Sequence, residues 1–327
     1  MEQVRTTGRL AVVNGLRGLA IIGVLFQHLT SAWLTAHLHH VADWRLAFVS
    51  NGWTGVNLFF ILSGFVLFLP YAAGRRQLCA WGDAAGFYRH RFFRLMPLYY
   101  FVTLVLLALG AAGKTPVQIW IAARQLLLLC FIVTRYGFMP PLDYPLWSIG
   151  VEILFSIAFP LLVVLIRRLG LSRVLGLALV AALLARIAGR LWNPGPLGPN
   201  FISDNLPGRI DEFVLGMVIA RVHALGRVPA WAPRLMLPGI ALILLAWQGF
   251  FRCQYGGETA VMMAPLNDVL DAGFVVAVAL VLAAFTYRHI EFGRERNWRA
   301  LFLWPEPPPR AAAAAANAAP ARTRDAP

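Results

Sequence analysis

Two ionisable side chains, Arg17 and His28, lie within one apolar stretch near the start of the chain. Eleven residues apart in a helix is three turns plus about 20°, so the two share a face, about 16 Å apart along the axis. An imidazole can take a proton from a hydroxyl near neutral pH, which is chemistry that a membrane-buried enzyme needs. A second interpretation fits equally well: Arg17 reaches lipid phosphates and His28 hydrogen-bonds a neighbouring helix.

A carboxylate stands in another apolar block, LWSIGVEILFSIAFP. Ser148, Glu152 and Ser156 recur there at i, i+4 and i+8, which makes a polar stripe on one helix face. Ionisable residues inside membrane spans cost about 2.5–3.5 kcal/mol on insertion scales, and a carboxylate there must be paired, protonated or facing water. The pattern favours a functional role for Glu152.

Arg91 and Arg94 stand at i and i+3 in FYRHRFFRLMPLYY, where a further span begins. Paired guanidinium groups suit phosphate geometry, although a topological cluster of arginines explains the pair at least as well.

In GWTGVNLFFILSGFVLFLP, Asn57 and Gly64 face the same way and Ser63 offers a hydroxyl. Close helix packing at the small residues Ser63 and Gly64 is the favoured interpretation of that block.

Composition decides what kind of element must position these side chains. Of the 327 residues, 59% are hydrophobic and only 13% are charged, with a mean hydropathy of +0.65, whereas soluble domains carry about 25% charged residues. The apolar blocks have about the length that one helix needs to cross ~30 Å of hydrocarbon. We expect an all-α, polytopic membrane helix bundle of about 8–10 transmembrane helices, which excludes a soluble enzyme, a disordered protein and a nucleic-acid-binding module.

The formal net charge of +14 arises from arginines in short segments between apolar blocks, the pattern of cytoplasmic loops. It predicts a membrane protein with a cytoplasmic N-terminus and membrane lipids as partners. Three scattered cysteines indicate no disulfide framework and no metal site. Carboxylates at the expected starts of two helices are interpreted as complements of the helix dipole; these are Asp211, Glu212, Asp268 and Asp271.

Nine candidate spans can be drawn. Nine full crossings cannot place all the arginine-rich segments in the cytoplasm, whereas eight crossings can. The block 117–134 contains Gln118, Arg124 and Gln125, so we expect it to dip into the membrane or lie laterally. Arg186 and Arg190 fit this topology poorly. Residues 1–300 form the predicted membrane domain, and the Pro- and Ala-rich residues 301–327 a disordered tail. The spans are 14–33, 53–71, 95–112, 117–134, 147–166, 174–192, 211–225, 235–251 and 268–287.

Together these stretches resemble the bacterial acyltransferase type 3 family of membrane O-acyltransferases. The similarity lies in LRGLAIIGVLFQH, GVNLFFILSGFVL, YRHRFFRLMPLYY and LWSIGVEILFSIAFPLL, in the family's order, with looser matches in RIDEFVLGMVIARV and TYRHIEFGRERNWR. The family's late Ser-Tyr-x-x-Tyr-x-x-His segment is not found, as if a span or hairpin were missing. An inactive family homologue is therefore one alternative, and a non-enzymatic transporter or flippase is another.

The resemblance implies that acyl-CoA, usually acetyl-CoA, is the co-substrate and that a carbohydrate or glycoside hydroxyl is the acceptor, with no permanently bound cofactor. It implies His28 and Arg17 as catalytic histidine and partner arginine, and Glu152 as the acidic residue of the Trp-Ser-x-x-x-Glu block. We expect Glu152 to orient or charge-balance His28 if their two helices meet. His28 is either a general base or a transient acyl carrier. The remaining implied roles are CoA phosphate binding by Arg91 and Arg94 and substrate binding by Asn57, Ser63, Trp147 and Ser148.

Overall fold

The computed structural model describes most of the chain as helix, with no strand in the described part. The described residues are 2–37, 47–78, 81–133, 146–192, 200–225, 234, 236–255, 273–278 and 281–282. The helices are α1 (Glu2–His37), α2 (Ala47–Ser50), α3 (Gly55–Ala72), α4 (Trp81–Gly110), α5 (Pro116–Leu127), α6 (Leu146–Leu169), α7 (Leu171–Trp192), α8 (Leu206–Ala224) and α9 (Met236–Tyr255).

Four helical stretches of the described chain are long and apolar enough to cross a membrane: Gly52–Ala72, Gly82–Gly110, Leu146–Leu169 and Leu171–Trp192. The prediction of an all-α membrane helix bundle is thus confirmed. Most of the candidate span 268–287, the segment 256–267 and the tail 301–327 lie outside the described residues.

The block 117–134 contains one short helix, α5, of 12 residues. Its length of about 18 Å is too short to cross ~30 Å of hydrocarbon, which agrees with the expectation of no ordinary crossing. That the block dips into the membrane or lies laterally stays a prediction. The Thr115 hydroxyl accepts a hydrogen bond from the Gln118 backbone, and the Gln118 side chain accepts one from the Thr115 backbone. This capping box fixes where α5 begins.

Helices α3 and α8 run parallel in close contact. Near the starts of both helices Asn57 contacts Glu212, and in their last turns Arg221 donates to the Ala72 carbonyl at 3.0 Å. A Cβ added to Gly64 would lie 2.0 Å from the Phe213 carbonyl oxygen, and one added to Gly216 would lie 2.0 Å from that of Ile61. The packing role favoured for Gly64 is therefore confirmed.

Helix α4 packs antiparallel to α6 and begins earlier than expected. The candidate span was drawn as 95–112, but the helix begins at Trp81 and continues to Gly110. Residues 81–94 contain no proline and no β-branched residue, so neither kind of residue opposes the helix there. One end of the bundle is marked by the loop at 73–78, Arg167–Arg168 and Arg221, and is called the arginine-rich end below. There Arg167 donates a hydrogen bond to the Leu78 carbonyl.

The first helix, α1, packs against the turn that precedes α3. A Cβ built on Gly52 would meet the Gly23 carbonyl, and one built on Gly55 would meet the Ala20 carbonyl at 2.5 Å. The absence of side chains at Gly52 and Gly55 lets these backbones touch. Helix α9 closes the other side of the turn through Trp247, whose indole donates to the hydroxyl of Thr54 at 3.0 Å.

Candidate active site

A buried ion pair joins the sequence-predicted Arg91 and Glu152. Arg91 Nη2 lies 2.8 Å from Glu152 Oε1, and both side chains are about 7% exposed. The Ser63 hydroxyl donates to the same carboxylate oxygen at 3.3 Å, while Arg91 Nε donates to the Ser156 hydroxyl at 3.0 Å. Charges buried in this way need such a partner and supporting hydrogen bonds. Three helices, α3, α4 and α6, therefore meet at one polar point.

Two further arginines lie around this pair. The Arg17 guanidinium sits over the ring of Phe59, 5.6 Å from its centroid, and interacts electrostatically with Arg94, Glu152 and Arg91. Arg94 is exposed. Four residues chosen from the sequence therefore gather from α1, α4 and α6, and we call Arg17, Arg91, Arg94 and Glu152 the arginine cluster. Among the described charges around Arg17, the cluster has three guanidinium groups and one carboxylate.

His28 lies apart from the arginine cluster. Because α1 is one helix from Glu2 to His37, Arg17 and His28 are about 16 Å apart along its axis. The α1 residue that faces the start of α3 is Ala20, so His28 lies about 12 Å beyond that level, away from the arginine-rich end. Its side chain is exposed. We expected Glu152 to orient or charge-balance His28 if their two helices meet; the structure instead pairs Glu152 with Arg91.

The residues predicted to bind substrate occupy separate positions along the bundle. Asn57 is buried and its amide donates to Glu212 Oε1 at 3.2 Å. Trp147 packs its edge against the Phe60 ring, with centroids 6.2 Å apart, and Ser148 is half-buried beside it. The substrate-binding roles of Asn57, Ser63, Trp147 and Ser148 stay predictions, as do the catalytic and CoA-binding roles named above.

A second group of buried charges was assigned no catalytic or binding role from the sequence. Arg186 on α7 lies 3.0 Å from Asp211 Oδ2 and 4.0 Å from Glu212 Oε1. Arg209 lies 3.0 Å from Glu212 Oε1 and 2.6 Å from Asp204 Oδ1. We call these five residues the α7–α8 charge network. Through the hydrogen bond of Glu212 to the α3 amide described above, it fixes α3, α7 and α8 together at the ends remote from the arginine-rich end.

The interpretation of Asp211 and Glu212 as helix-dipole complements was wrong. Helix α8 begins at Leu206, so both carboxylates lie beyond its first turn, where the dipole effect has largely decayed. They are buried against Arg186, which also explains why that arginine fitted the topology poorly. The signal was present in the sequence, since opposite charges inside two apolar blocks must find each other or water. Asp268 and Asp271 lie outside the described residues.

No group of three His, Cys, Asp or Glu side chains within the described ranges is arranged to hold a metal ion.

Comparison with known proteins places the chain in a family. The sequence profile described as an acyltransferase domain matches residues 10–304. O-acetyltransferase OatA of Staphylococcus aureus (strain NCTC 8325 / PS 47) is 27% identical over 176 residues, which cover 50% of this chain and 26% of the relative. The chain thus spans about a quarter of the length of the OatA proteins that it matches. No solved structure matches the chain.

Two other relatives match over more of their length. The exopolysaccharide production protein ExoZ of Rhizobium meliloti (strain 1021) is 28% identical over 76% of this chain and 71% of its own. Acyltransferase MdmB of Streptomyces mycarofaciens is 25% identical over 84% of this chain and 70% of its own. With nearly the whole chain matched by the family profile, the protein belongs to the acyltransferase type 3 family and is an integral membrane protein.

Proposed function

We propose that the protein is a membrane O-acyltransferase that moves an acyl group, in the first instance acetyl, from acyl-CoA to a hydroxyl of a carbohydrate or glycoside. One observation carries the donor side: the arginine cluster brings three guanidinium groups to one carboxylate. An excess of positive charge inside an apolar bundle is expensive unless an anion offsets it. The phosphates of CoA are such an anion, and guanidinium groups match their geometry.

The roles within the cluster divide by exposure. Arg91 is buried and held by Glu152 and Ser156, so it supplies a fixed positive field. Arg94 is exposed, and Arg17 Nε has no hydrogen-bond partner among the described residues. In this proposal Arg94 and Arg17 contact the donor phosphates directly, while Glu152 keeps Arg91 in place.

His28 performs the proton transfer in the proposed reaction. Its imidazole takes the proton of the acceptor hydroxyl, and the hydroxyl oxygen attacks the thioester carbonyl carbon. The carbon–sulfur bond then breaks, and the departing CoA thiolate receives the proton from the imidazolium. Arg17 and His28 share one face of α1 about 16 Å apart. An extended pantetheine arm therefore runs along α1, from phosphates at Arg17 to a thioester at His28.

The orientation follows from charge. The arginine-rich end carries Arg75, Arg76, Arg167, Arg168 and Arg221, and basic residues favour the cytoplasmic side of a membrane. We assign that end to the cytoplasm, where acyl-CoA is available, with the N-terminus on the same side in a bacterial inner membrane. His28 then lies toward the opposite side, where an envelope carbohydrate can reach it. The name of the relative ExoZ, an exopolysaccharide production protein, supports a carbohydrate acceptor.

Transfer of a labelled acetyl group tests the proposal. The purified protein in vesicles is given acetyl-CoA labelled in the acetyl group together with a panel of glycosides and glycolipids, and label in the acceptor is measured. We expect transfer by the wild type and a loss of at least about 100-fold in His28→Ala, the range of general acid–base catalysis. Thr30→Ala, which changes another polar side chain of α1, is the matched control and should retain transfer.

Two results would contradict the proposal. Wild-type protein that neither transfers nor releases the label would remove the acyltransferase assignment for this chain. Substantial transfer by a well-folded His28→Ala variant would remove His28 as the base. If His28 is instead an acyl carrier, rapid acid quenching will trap label on the protein in the absence of acceptor, and the general-base step is then wrong.

A further inference from the structure

A cleft of about 510 Å³ opens at the arginine-rich end, between the last turn of α3, the loop after it and the first turns of α4. Ligand pockets in proteins commonly enclose about 300–1,000 Å³. No role was assigned to this cleft from the sequence motifs. The lining residues that matter for its chemistry are Tyr71, Arg76, Asp83, Gly86, Phe87 and His90.

The cleft lies one helical turn from the arginine cluster along α4. Residues four apart on a helix lie one above the other, so Phe87 lies one turn below Arg91 and His90 one turn below Arg94. A molecule that lies in the cleft and extends along α4 therefore reaches both arginines within about 6 Å of helix rise. The exposed His90 of the cleft and the exposed Arg94 of the cluster therefore lie on adjacent turns of one face of α4.

The walls of the cleft combine aromatic rings with polar groups. Phe87 stacks on Phe159 with ring centroids 5.0 Å apart and planes at 20°, and Tyr71 packs on the same ring at 5.5 Å. Arg76 is exposed and interacts with the Tyr71 hydroxyl. Flat apolar rings suit a purine, and a guanidinium suits phosphate. The carboxylate of Asp83 can accept hydrogen bonds from an exocyclic amine or from ribose hydroxyls.

We propose that this cleft binds the nucleotide end of acyl-CoA: the adenine between Tyr71 and Phe87, and the ribose phosphate on Arg76 and His90. This inference rests on the proposed function, since it assigns the part of the donor that lies outside the arginine cluster. The diphosphate then lies at Arg94 and Arg17, and the pantetheine arm continues along α1. The donor is thus recognised at two sites along one path.

Binding of two probes to the full-length protein in detergent tests the proposal. The probes are CoA, and pantetheine as a thiol without the nucleotide; their dissociation constants are measured by calorimetry. Arg76→Ala should weaken CoA binding by about 10- to 100-fold, the strength of one hydrogen bond to a charged group, and leave pantetheine binding unchanged. Arg75→Ala, which removes the same charge from the neighbouring exposed residue, is the matched control and should bind CoA as the wild type does.

A second variant fills the cleft without touching a charge. An added Cβ at Gly86 meets nothing within 4 Å, and leucine favours helix over glycine, so Gly86→Leu should fold. It should weaken CoA binding and raise the KM for acetyl-CoA, with little change in kcat. The KM for S-acetyl-pantetheine, which lacks the nucleotide, should stay the same.

Each contrary outcome identifies what fails. If the wild type transfers acetyl from acetyl-CoA and neither Arg76→Ala nor Gly86→Leu changes CoA binding, the cleft assignment is overturned while the proposed function stands. If the wild type neither binds CoA nor transfers acetyl, both are overturned. If adenosine diphosphate binds as tightly as CoA, occupies the cleft and does not compete with acetyl-CoA in the transfer assay, the cleft takes a free nucleotide, and the assignment to the donor is again overturned.

Discussion

Removing one partner of the Arg91–Glu152 pair should destabilise the protein far more than removing both. In Arg91→Met the Glu152 carboxylate keeps the Ser63 hydroxyl but loses its ion pair, and in Glu152→Leu the Arg91 guanidinium keeps the Ser156 hydroxyl alone. Both side chains are about 7% exposed, so water cannot replace the lost partner. Breaking a buried pair in this way costs about 3–5 kcal/mol.

That cost corresponds to a change of about 10²- to 10⁴-fold in the folding equilibrium. The double variant Arg91→Met/Glu152→Leu has no buried charge left at this point, and apolar replacements of similar volume are often neutral or stabilising. We therefore expect the double variant to unfold within about 1 kcal/mol of the wild type, with a coupling free energy of several kcal/mol between the two positions.

Equilibrium unfolding of the four proteins in mixed micelles measures this cycle. Tyr88→Phe is the matched control, because it removes another contact between α4 and α6. That contact is the hydrogen bond from the Tyr88 hydroxyl to the Ile157 carbonyl at an exposed position. Its loss should lower the free energy of unfolding by at most about 1 kcal/mol. A double variant as unstable as the two single variants combined would refute the pairing argument. CoA binding by the double variant as tight as that of the wild type would remove Arg91 from the donor site.

Three further predictions concern the scaffold. Gly64→Ala should lower the free energy of unfolding by about 1–3 kcal/mol, because the added Cβ collides with the Phe213 carbonyl. Gly176→Ala, in open space on α7, should raise the free energy of unfolding by about 0.5–1 kcal/mol. Equal effects of the two changes would contradict the packing argument. Arg186→Met should lower the free energy of unfolding by about 3 kcal/mol, because Asp211 loses its ion pair. Adding Asp211→Asn should restore part of that loss in the same unfolding assay. No restoration would show that this pair does not stabilise the bundle. Thr115→Ala should remove the capping box of α5 and lower its local stability by about 1 kcal/mol. Hydrogen exchange will detect this loss as faster exchange of the first α5 amides. Unchanged exchange would contradict the assigned cap.

The sequence predicted the helical membrane fold because long apolar blocks leave few alternatives in a bilayer. It also found the members of the arginine cluster, since each is a charge that an apolar block cannot leave unexplained. It did not predict which charges pair. Arg91 and Glu152 are 61 residues apart, and only the antiparallel packing of α4 on α6 brings them together. Periodicity fixes the face of a helix on which a residue lies but not the neighbour it meets.

The α7–α8 charge network escaped prediction for a related reason. A carboxylate near the start of a helix has an adequate local explanation in the helix dipole, and that explanation depends on where the helix begins. The boundary was placed at 211, whereas α8 begins at Leu206. An error of five residues in one boundary was thus enough to conceal the ion pairs of Asp211 and Glu212 with arginines.

The unbroken course of α1 sets a dimension that the rest of the protein cannot adjust. Hydrogen bonds along every turn from Glu2 to His37 make it a rod, so side-chain motion alone cannot close the gap between its guanidinium and its imidazole. Inserting one residue between Arg17 and His28 would turn the imidazole by about 100° while lengthening the rod by only about 1.5 Å. In the proposed mechanism, compact donors such as acetyl phosphate are excluded by length, because a molecule anchored at Arg17 must still present its carbonyl far along the same rod.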